Sequence, residues 1–193
     1  MGLIIITAPA SEPLTLQEAK DHLRFTDSSE DTLISALIVA ARQHIENLTG
    51  RALITQTLEL QLDGFPATRK ILLPSSPVQS VSSVKYYDTD GALQTWSSTE
   101  YQVVTSQIVP VIAPASGYDW PETDTDTLAS VQVRYIAGFG NAAAIPEPIK
   151  QAMRLLIGHL FTNRESVVVG TISQIVPKTV EHLISPYRVV YGA

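Results

Sequence analysis

The sequence predicts an α+β fold, with a helical core built from both ends of the chain and a small antiparallel β module inserted between its two parts. Two changes of pattern predict this arrangement. Apolar residues recur at helical spacing in residues 14–50 and again in residues 146–165, whereas residues 56–137 form short segments with strand patterns. We therefore assign residues 1–55 and 138–165 to the helical core, residues 56–137 to the β module, and residues 166–193 to a C-terminal arm.

The first helix is expected in "LTLQEAKDHLR". Thr15 can cap its start, and Glu18 lies three residues further on, which is the spacing of a capping box. Leu16, Ala19 and Leu23 would form its apolar face.

A second, longer helix is predicted in "SSEDTLISALIVAARQHIENLTG". Ser28 with Asp31 offers a cap, and Gly50 can end the helix because glycine tolerates a positive φ. About twenty residues at 1.5 Å each give a rod of about 30 Å. Its apolar stripe comprises Leu33, Ile34, Leu37, Ile38, Ala41, Ile45 and Leu48.

The β module begins where the spacing of apolar residues changes from helical to alternating. "QTLELQL" alternates strictly and places Leu58, Leu60 and Leu62 on one face. Short segments bounded by Pro, Gly, Ser or Asp follow, and they predict five to seven strands in all. The pair Asp90–Gly91 is expected in the turn of a hairpin.

A third helix is predicted in "IPEPIKQAMRLLIGHLFTNRE", with Pro146 and Pro148 in its first turn. Gly158 lies inside the helix at a cost of about 1 kcal/mol relative to alanine, so we expect a close approach of another segment there. The apolar stripe comprises Ile149, Ala152, Met153, Leu156 and Leu160.

The arm is apolar, with one short helix expected over residues 177–185. Two interpretations are open: the arm folds back on its own domain, or it docks on a partner as an added strand or in a groove. Lys178 and Arg188 would give it a charge opposite to that of the β module. Under the second interpretation, the partner-binding residues are Val167, Val168, Val169, Ile172, Ile175, Val176, Leu183, Ile184, Tyr187, Arg188, Val189 and Tyr191.

The composition excludes some kinds of site and argues against nonspecific binding to nucleic acid. The chain has no cysteine, so disulfides and thiolate metal sites are excluded. Its formal net charge of −6 argues against nonspecific binding to nucleic acid. The β module holds nine acidic and four basic residues, whereas residues 138–193 hold three and five.

The apolar runs predict neither a leader nor a membrane span. "GLIIITAPA" lacks the basic region of a signal peptide, and "LISALIVAA" is far shorter than the roughly twenty residues that cross a bilayer. A soluble, cytoplasmic protein without membrane contact is therefore expected.

The one match to a cofactor-binding motif lacks the structural context that the motif needs. Gly138, Gly140 and Ala143 match G-x-G-x-x-A, but the prolines at 146 and 148 delay the helix whose N–H groups would hold a phosphate. A turn between strand and helix is the better interpretation. We expect no cofactor.

The remaining polar residues predict no metal or catalytic site. The acid pairs Asp88–Asp90 and Asp124–Asp126 lack the other ligands of a calcium loop and are expected in exposed turns. No two histidines share a helix at metal-binding spacing, and no nucleophile elbow or phosphate loop occurs. A non-enzymatic protein is predicted, with a hydrolase of unrecognised site as the less favoured alternative.

Two strings carry a resemblance to a known family. "LTLQEAKDHLRFTDSSEDTLISALIVAARQHIENLTGRALITQTLELQLDGFP" resembles the head–tail connector (adaptor) proteins of tailed phages, and "VRYIAGFGNAAAIPEPIKQAMRLLIGHLFTNRESVVVG" is similar to that family's strand, turn and closing helix. The resemblance covers nearly the whole chain and is weakest over residues 63–127. Its motifs are packing and turn signals, so their joint order carries it.

The resemblance implies a structural role in the virion. Such adaptors form a ring, commonly of twelve copies, between the portal protein and a tail-side stopper or terminator protein. They extend a channel through which DNA passes without specific binding, and they are made in the cytoplasm of the bacterial host. A tail-completion or stopper protein is the neighbouring alternative, although it should be a smaller β barrel without the long N-terminal helix.

Overall fold

The structure is a computed structural model that describes residues 1–163 and 178–189. Within them the chain forms two compact units, one helical and one built of β-strands. The expectation of a mixed α+β fold is confirmed.

The helical unit comprises Ser11–Ile54 and the described residues between 140 and 188. It contains four α-helices and two short 3-10 helices. Their bounds are α1 Leu16–Leu23, α2 Asp31–Thr49, α3 Glu147–Thr162 and α4 Lys178–Ile184, with 3-10 turns at Ala142–Ala144 and Ser185–Tyr187.

Helix α1 begins as its sequence predicts. The Thr15 side chain accepts a hydrogen bond from the Glu18 N–H at 3.1 Å, and the Glu18 carboxylate accepts one from the Thr15 N–H at 2.7 Å. Both halves of the capping box are therefore present. The Thr15 N–H bond, as the largest influence, lowers the pKa of Glu18.

Helix α2 ends as predicted but starts differently. Gly50 adopts φ 67° and closes the C-terminus. The predicted Ser28 cap is wrong, because the helix starts at Asp31 with no side-chain cap. The Asp31 carboxylate instead accepts from the Lys20 Nζ of α1 at 2.6 Å, so the acid that would help a cap joins two helices.

The predicted stripe of α2 is its buried face. Ile34, Ile38, Ala41 and Ile45 are buried, and the three stripe leucines are half-buried. In α3 the buried residues are Ile149, Ala152, Met153, Leu156 and Ile157, while the predicted Leu160 is only half-buried.

Gly158 marks the close approach that its position predicts. A Cβ built on Gly158 would lie 3.6 Å from the His22 ring, which belongs to α1. The aromatic rings of Phe25 and Phe161 meet edge to face nearby, with centroids 5.7 Å apart. Helices α1 and α3 thus pack at short range.

A nearly buried charge network ties α2 to the segments that flank it. Arg42 donates through Nε to Glu12 at 2.7 Å and through Nη1 to Glu46 at 2.8 Å. Glu46 also accepts the Leu53 N–H at 2.9 Å. Burial, as the largest influence, raises the pKa of Glu46, although the Leu53 N–H and Arg42 both act to lower it.

The β unit comprises Met1–Ala10, Thr55–Phe139 and Val189 among the described residues. Its strands form a five-stranded antiparallel sheet in the order β1-β2-β8-β4-β5 and a three-stranded antiparallel sheet in the order β3-β7-β6. The strands are β1 Gly2–Thr7, β2 Gln56–Leu62, β3 Ile71–Leu72, β4 Val78–Tyr87, β5 Leu93–Trp96, β6 Tyr101–Val104, β7 Val111–Pro114 and β8 Val131–Ala137.

The seven strands in residues 56–137 agree with the predicted number. The hairpin at Asp90–Gly91 joins β4 to β5, and the Asp88 carboxylate accepts the N–H groups of Asp90 and Ala92 at 3.1 and 2.9 Å. The Gln94 side chain, as the largest influence, and these two N–H groups lower the pKa of Asp88. The acid is a turn residue, as expected.

One predicted boundary is wrong. We assigned residues 1–55 to the helical core, but Gly2–Thr7 pairs along β2 from Gly2 with Gln61 to Thr7 with Thr57. The first ten residues therefore belong to the β unit. On one side their apolar run forms backbone hydrogen bonds with β2, a partner that the local sequence pattern does not reveal.

Candidate assembly surfaces

Five of the predicted partner-binding residues lie in the described part of the arm. They are Leu183, Ile184, Tyr187, Arg188 and Val189. The other seven, Val167, Val168, Val169, Ile172, Ile175, Val176 and Tyr191, lie outside the described residues.

Helix α4 packs on α3 within the helical unit. Val180 and Ile184 are 0% exposed, so the inner face of α4 is part of the core of this unit. Arg51 donates to the Tyr187 carbonyl at 2.6 Å, and Arg188 donates to the Leu48 carbonyl at 3.1 Å. These contacts favour the interpretation in which this part of the arm folds back on its own domain.

Part of the same segment stays accessible. Leu183 and Tyr187 are half-buried and Arg188 is exposed, whereas Val189 is buried. Leu183, Tyr187 and Arg188 are therefore the described arm residues that a partner could contact without unpacking α4.

Strand β1 is a second apolar surface, which the sequence reasoning missed. It lies at the edge of the five-stranded sheet, and all six of its residues are exposed. Ile5 is 62% exposed, and the other large apolar side chains of Leu3–Ile6 are 41–42% exposed. The available signal in the sequence is an uninterrupted apolar run from Leu3 to Ile6, which Pro9 follows.

The register shows what β1 exposes. Residues directly opposite in an antiparallel pair point to the same face of the sheet. Leu3 lies opposite Leu60, which lies opposite Val133 on β8, and Val133 lies opposite Val84 on β4. The last three of these side chains are fully buried, so the core row continues to β1 and ends there in solvent.

A shallow apolar cavity lies at the start of this strand. Its volume is about 420 Å³, and Met1, Leu62, Ile71 and Leu72 line it together with Pro66, Lys70 and Pro74. Apart from Lys70 the lining carries no ionisable side chain. The cavity therefore suits an inserted apolar side chain better than a reacting polar substrate.

A second cavity, of about 500 Å³, borders an aromatic cluster. Phe65 stacks on Trp120 with centroids 4.8 Å apart, and Trp96 meets both rings. Asp63 and Glu122 lie in its lining, which holds neither histidine nor cysteine. The cluster fastens the loop around Trp120 to the sheet.

The described residues hold no metal cluster, and the glycine motif at Gly138 does not lead directly into a helix. Across 1–163 and 178–189, no three His, Cys, Asp or Glu side chains come close enough to hold a metal ion. After Gly138 and Gly140 the chain makes a 3-10 turn capped by Asn141, and α3 starts only at Glu147. The helix end that a phosphate would need is absent from this loop.

The same described ranges contain no helix with the length and apolarity that membrane crossing requires.

Comparison with known proteins decides the family. The profile of the head completion protein family matches residues 12–190.

The chain belongs to the head completion protein family. The chain is also similar to solved structures over its whole length. A chain in the neck of an empty gene transfer agent particle, computed with C6 symmetry, is 28% identical with a TM-score of 0.83, and the match covers 100% of this chain and 98% of that one.

Two further structures agree. A chain in the virion of a native gene transfer agent particle is 27% identical with a TM-score of 0.81, and one in a native neck computed with C12 symmetry is 27% identical with a TM-score of 0.77. Each match covers 100% of this chain and 98% of the other. No curated protein matches at comparable significance. The resemblance to head–tail connectors is confirmed.

Proposed function

We propose that this protein is a structural head–tail adaptor of a tailed phage or a phage-like particle, located at the junction of head and tail in the virion. The observation that carries the proposal is the match along the whole chain to neck subunits of gene transfer agent particles, at 27–28% identity. The family profile, which spans residues 12–190, supports the same role.

The adaptor acts as a ring. The related necks were computed with C6 and C12 symmetry, and a ring of twelve copies satisfies both. In this proposal one side of the ring binds the portal protein and the other receives a tail-side stopper or terminator protein. The half-buried Leu183 and Tyr187 and the exposed Arg188 are candidates for the contact with the portal or with the neighbouring copy.

The length of helix α2 favours an adaptor over a stopper protein. A stopper should be a small β barrel without a long N-terminal helix, whereas α2 runs for 19 residues and packs against α1 and α3 in a helical unit.

The role requires no catalysis, and DNA passes through the ring without specific binding. Each chain carries a net charge of −6, so a ring would present an acidic assembly to a polyanion. Like charges oppose adhesion and let DNA slide. We expect no measurable retention of duplex DNA by the pure protein at about 150 mM salt; sub-micromolar binding would contradict this part of the proposal.

The order of assembly tests the function. Purified protein is mixed with the portal protein of the same particle, and the products are measured by mass photometry and electron microscopy. An adaptor should add a ring directly to the portal, and the tail-side protein should bind only afterwards. A chain that binds the portal only when another protein is already seated is a stopper, and a chain that binds neither refutes the junction role.

A further inference from the structure

We propose that the apolar strip of strand β1, defined by Leu3, Ile4, Ile5 and Ile6, is an interface between copies of this chain. The inference rests on the proposed function as a ring subunit and names a surface through which the ring closes. Its direct observation is an edge strand with both faces exposed.

The strip has one of the features that protect isolated sheet edges, a register shift near its end, and lacks the others. Natural edge strands are blunted by charged side chains, by proline or by very short length. Gly2–Thr7 has six residues, no charge and no proline. The only irregularity in its pairing is a register shift between Ile5 and Thr7. Such an edge is a template for association unless another surface covers it.

The core of the β unit is unfinished at this strand. The row from Val84 through Val133 and Leu60 is fully buried until it reaches Leu3, which is 41% exposed. Two residues further along the strands, on the same face, Tyr135 and Leu58 are buried while Ile5, opposite Leu58, is 62% exposed. Two rows of core side chains therefore end in water at the same edge.

The strip continues into a cavity. Large exposed apolar patches on soluble proteins mark contact sites. Met1, which precedes the strip and is 79% exposed, also lines the 420 Å³ cavity beside Leu62 and Leu72. An apolar side chain from a partner could fill that cavity while the partner covers the strip.

Two arguments identify the partner as a second copy of this chain. In a closed ring every subunit contacts its neighbours through two different surfaces, so each copy needs an acceptor and a donor patch. Copies of a chain with net charge −6 also repel one another, and an uncharged strip lets them approach without opposing like charges. The strip thus meets a different surface of the neighbouring copy.

The test compares substitutions of equal chemistry inside and outside the strip. Ile5→Lys places a charge in the proposed contact, whereas Leu128→Lys places one at an apolar loop position that is 83% exposed in the same unit. We expect Ile5→Lys to lower ring formation, alone or on the portal protein, by about tenfold or more, because a charge buried without a partner is unfavourable. Leu128→Lys should leave it unchanged.

A milder variant and a cross-linking measurement distinguish a lost interface from a misfolded chain. Ile5→Thr retains strand propensity and should lower ring formation less, with far-UV circular dichroism and thermal unfolding verifying the fold of every variant. The chain has no cysteine, so Ile5→Cys labelled with a benzophenone maleimide reports a single position. Irradiated rings should yield cross-linked pairs of this chain.

The outcomes separate the two proposals. If the wild-type chain forms no ring, alone or with the portal protein, both the proposed function and the interface are wrong. If rings form equally with Ile5→Lys, or if the label at residue 5 cross-links only to the portal protein, the β1 interface is wrong while the adaptor function stands.

Discussion

Substitutions at two neighbouring residues of α4 distinguish packing within the chain from contact with a partner. Ile184 is 0% exposed, and Leu183 beside it is half-buried. Truncating Ile184 to alanine removes three buried carbons from the contact with α3 and leaves a cavity. Such substitutions cost about 2–5 kcal/mol, so Ile184→Ala should lower the free energy of unfolding by that amount.

Leu183→Ala is the matched control for stability. Its side chain is partly solvated, so its truncation should cost roughly half as much or less. If Leu183 contacts the portal or a neighbouring copy, this variant should instead weaken ring assembly while unfolding stays close to that of the wild type.

Urea unfolding measures the difference. With a slope of about 2 kcal/mol per molar, Ile184→Ala should move the midpoint down by about 1–2.5 M. Far-UV circular dichroism follows the helices. Both tryptophans of the chain, Trp96 and Trp120, lie in the β unit, so their fluorescence reports that unit separately.

The reasoning is refuted if Ile184→Ala leaves the dichroism midpoint unchanged. That result would mean that α4 does not pack on α3 in the free protein, and it would favour the interpretation in which the whole arm docks on a partner. A fluorescence midpoint that falls while the dichroism midpoint does not would equally contradict the assignment of Ile184 to the helical core.

Three further predictions concern the helical unit. Arg42→Met should lower the free energy of unfolding by about 3–5 kcal/mol in urea titrations, because it leaves the nearly buried carboxyl group of Glu46 without the Arg42 guanidinium. A loss under about 1 kcal/mol would show that water reaches the site. Because burial raises the pKa of Glu46, the folded chain binds this proton more tightly than the unfolded chain, so stability from this group is greatest below its unfolded pKa and is lost as the pH rises through its folded pKa. Urea midpoints of wild type and Glu46→Gln are compared between about pH 4 and 8, and the variant should lack this loss of stability. If the two midpoints change with pH in the same way, the prediction is wrong. Thr15→Ala should cost about 1 kcal/mol by thermal unfolding, since it removes one half of the capping box, whereas an unchanged midpoint would indicate that tertiary packing alone holds α1.

The sequence by itself determined the elements whose signals are local. The capping box of Thr15 and Glu18, the stop at Gly50 and the Asp90–Gly91 hairpin all depend on residues within a few positions of one another, and each was predicted at its place. The order of such signals also sufficed to place the chain in its family.

The tertiary structure alone decided the features that depend on distant residues. The apolar run at residues 3–6 carries no strand alternation, and only its pairing with β2 shows that it belongs to the β unit and leaves a core row open. The spacing of Arg42 and Glu46 on α2 is visible in the sequence, but their burial and the bond from Arg42 to Glu12 are not. The division of α4 into buried and accessible residues follows from its contact with α3. Burial and strand pairing are properties of surfaces brought together from far along the chain, whereas helix caps and turns are formed by the backbone within a single turn.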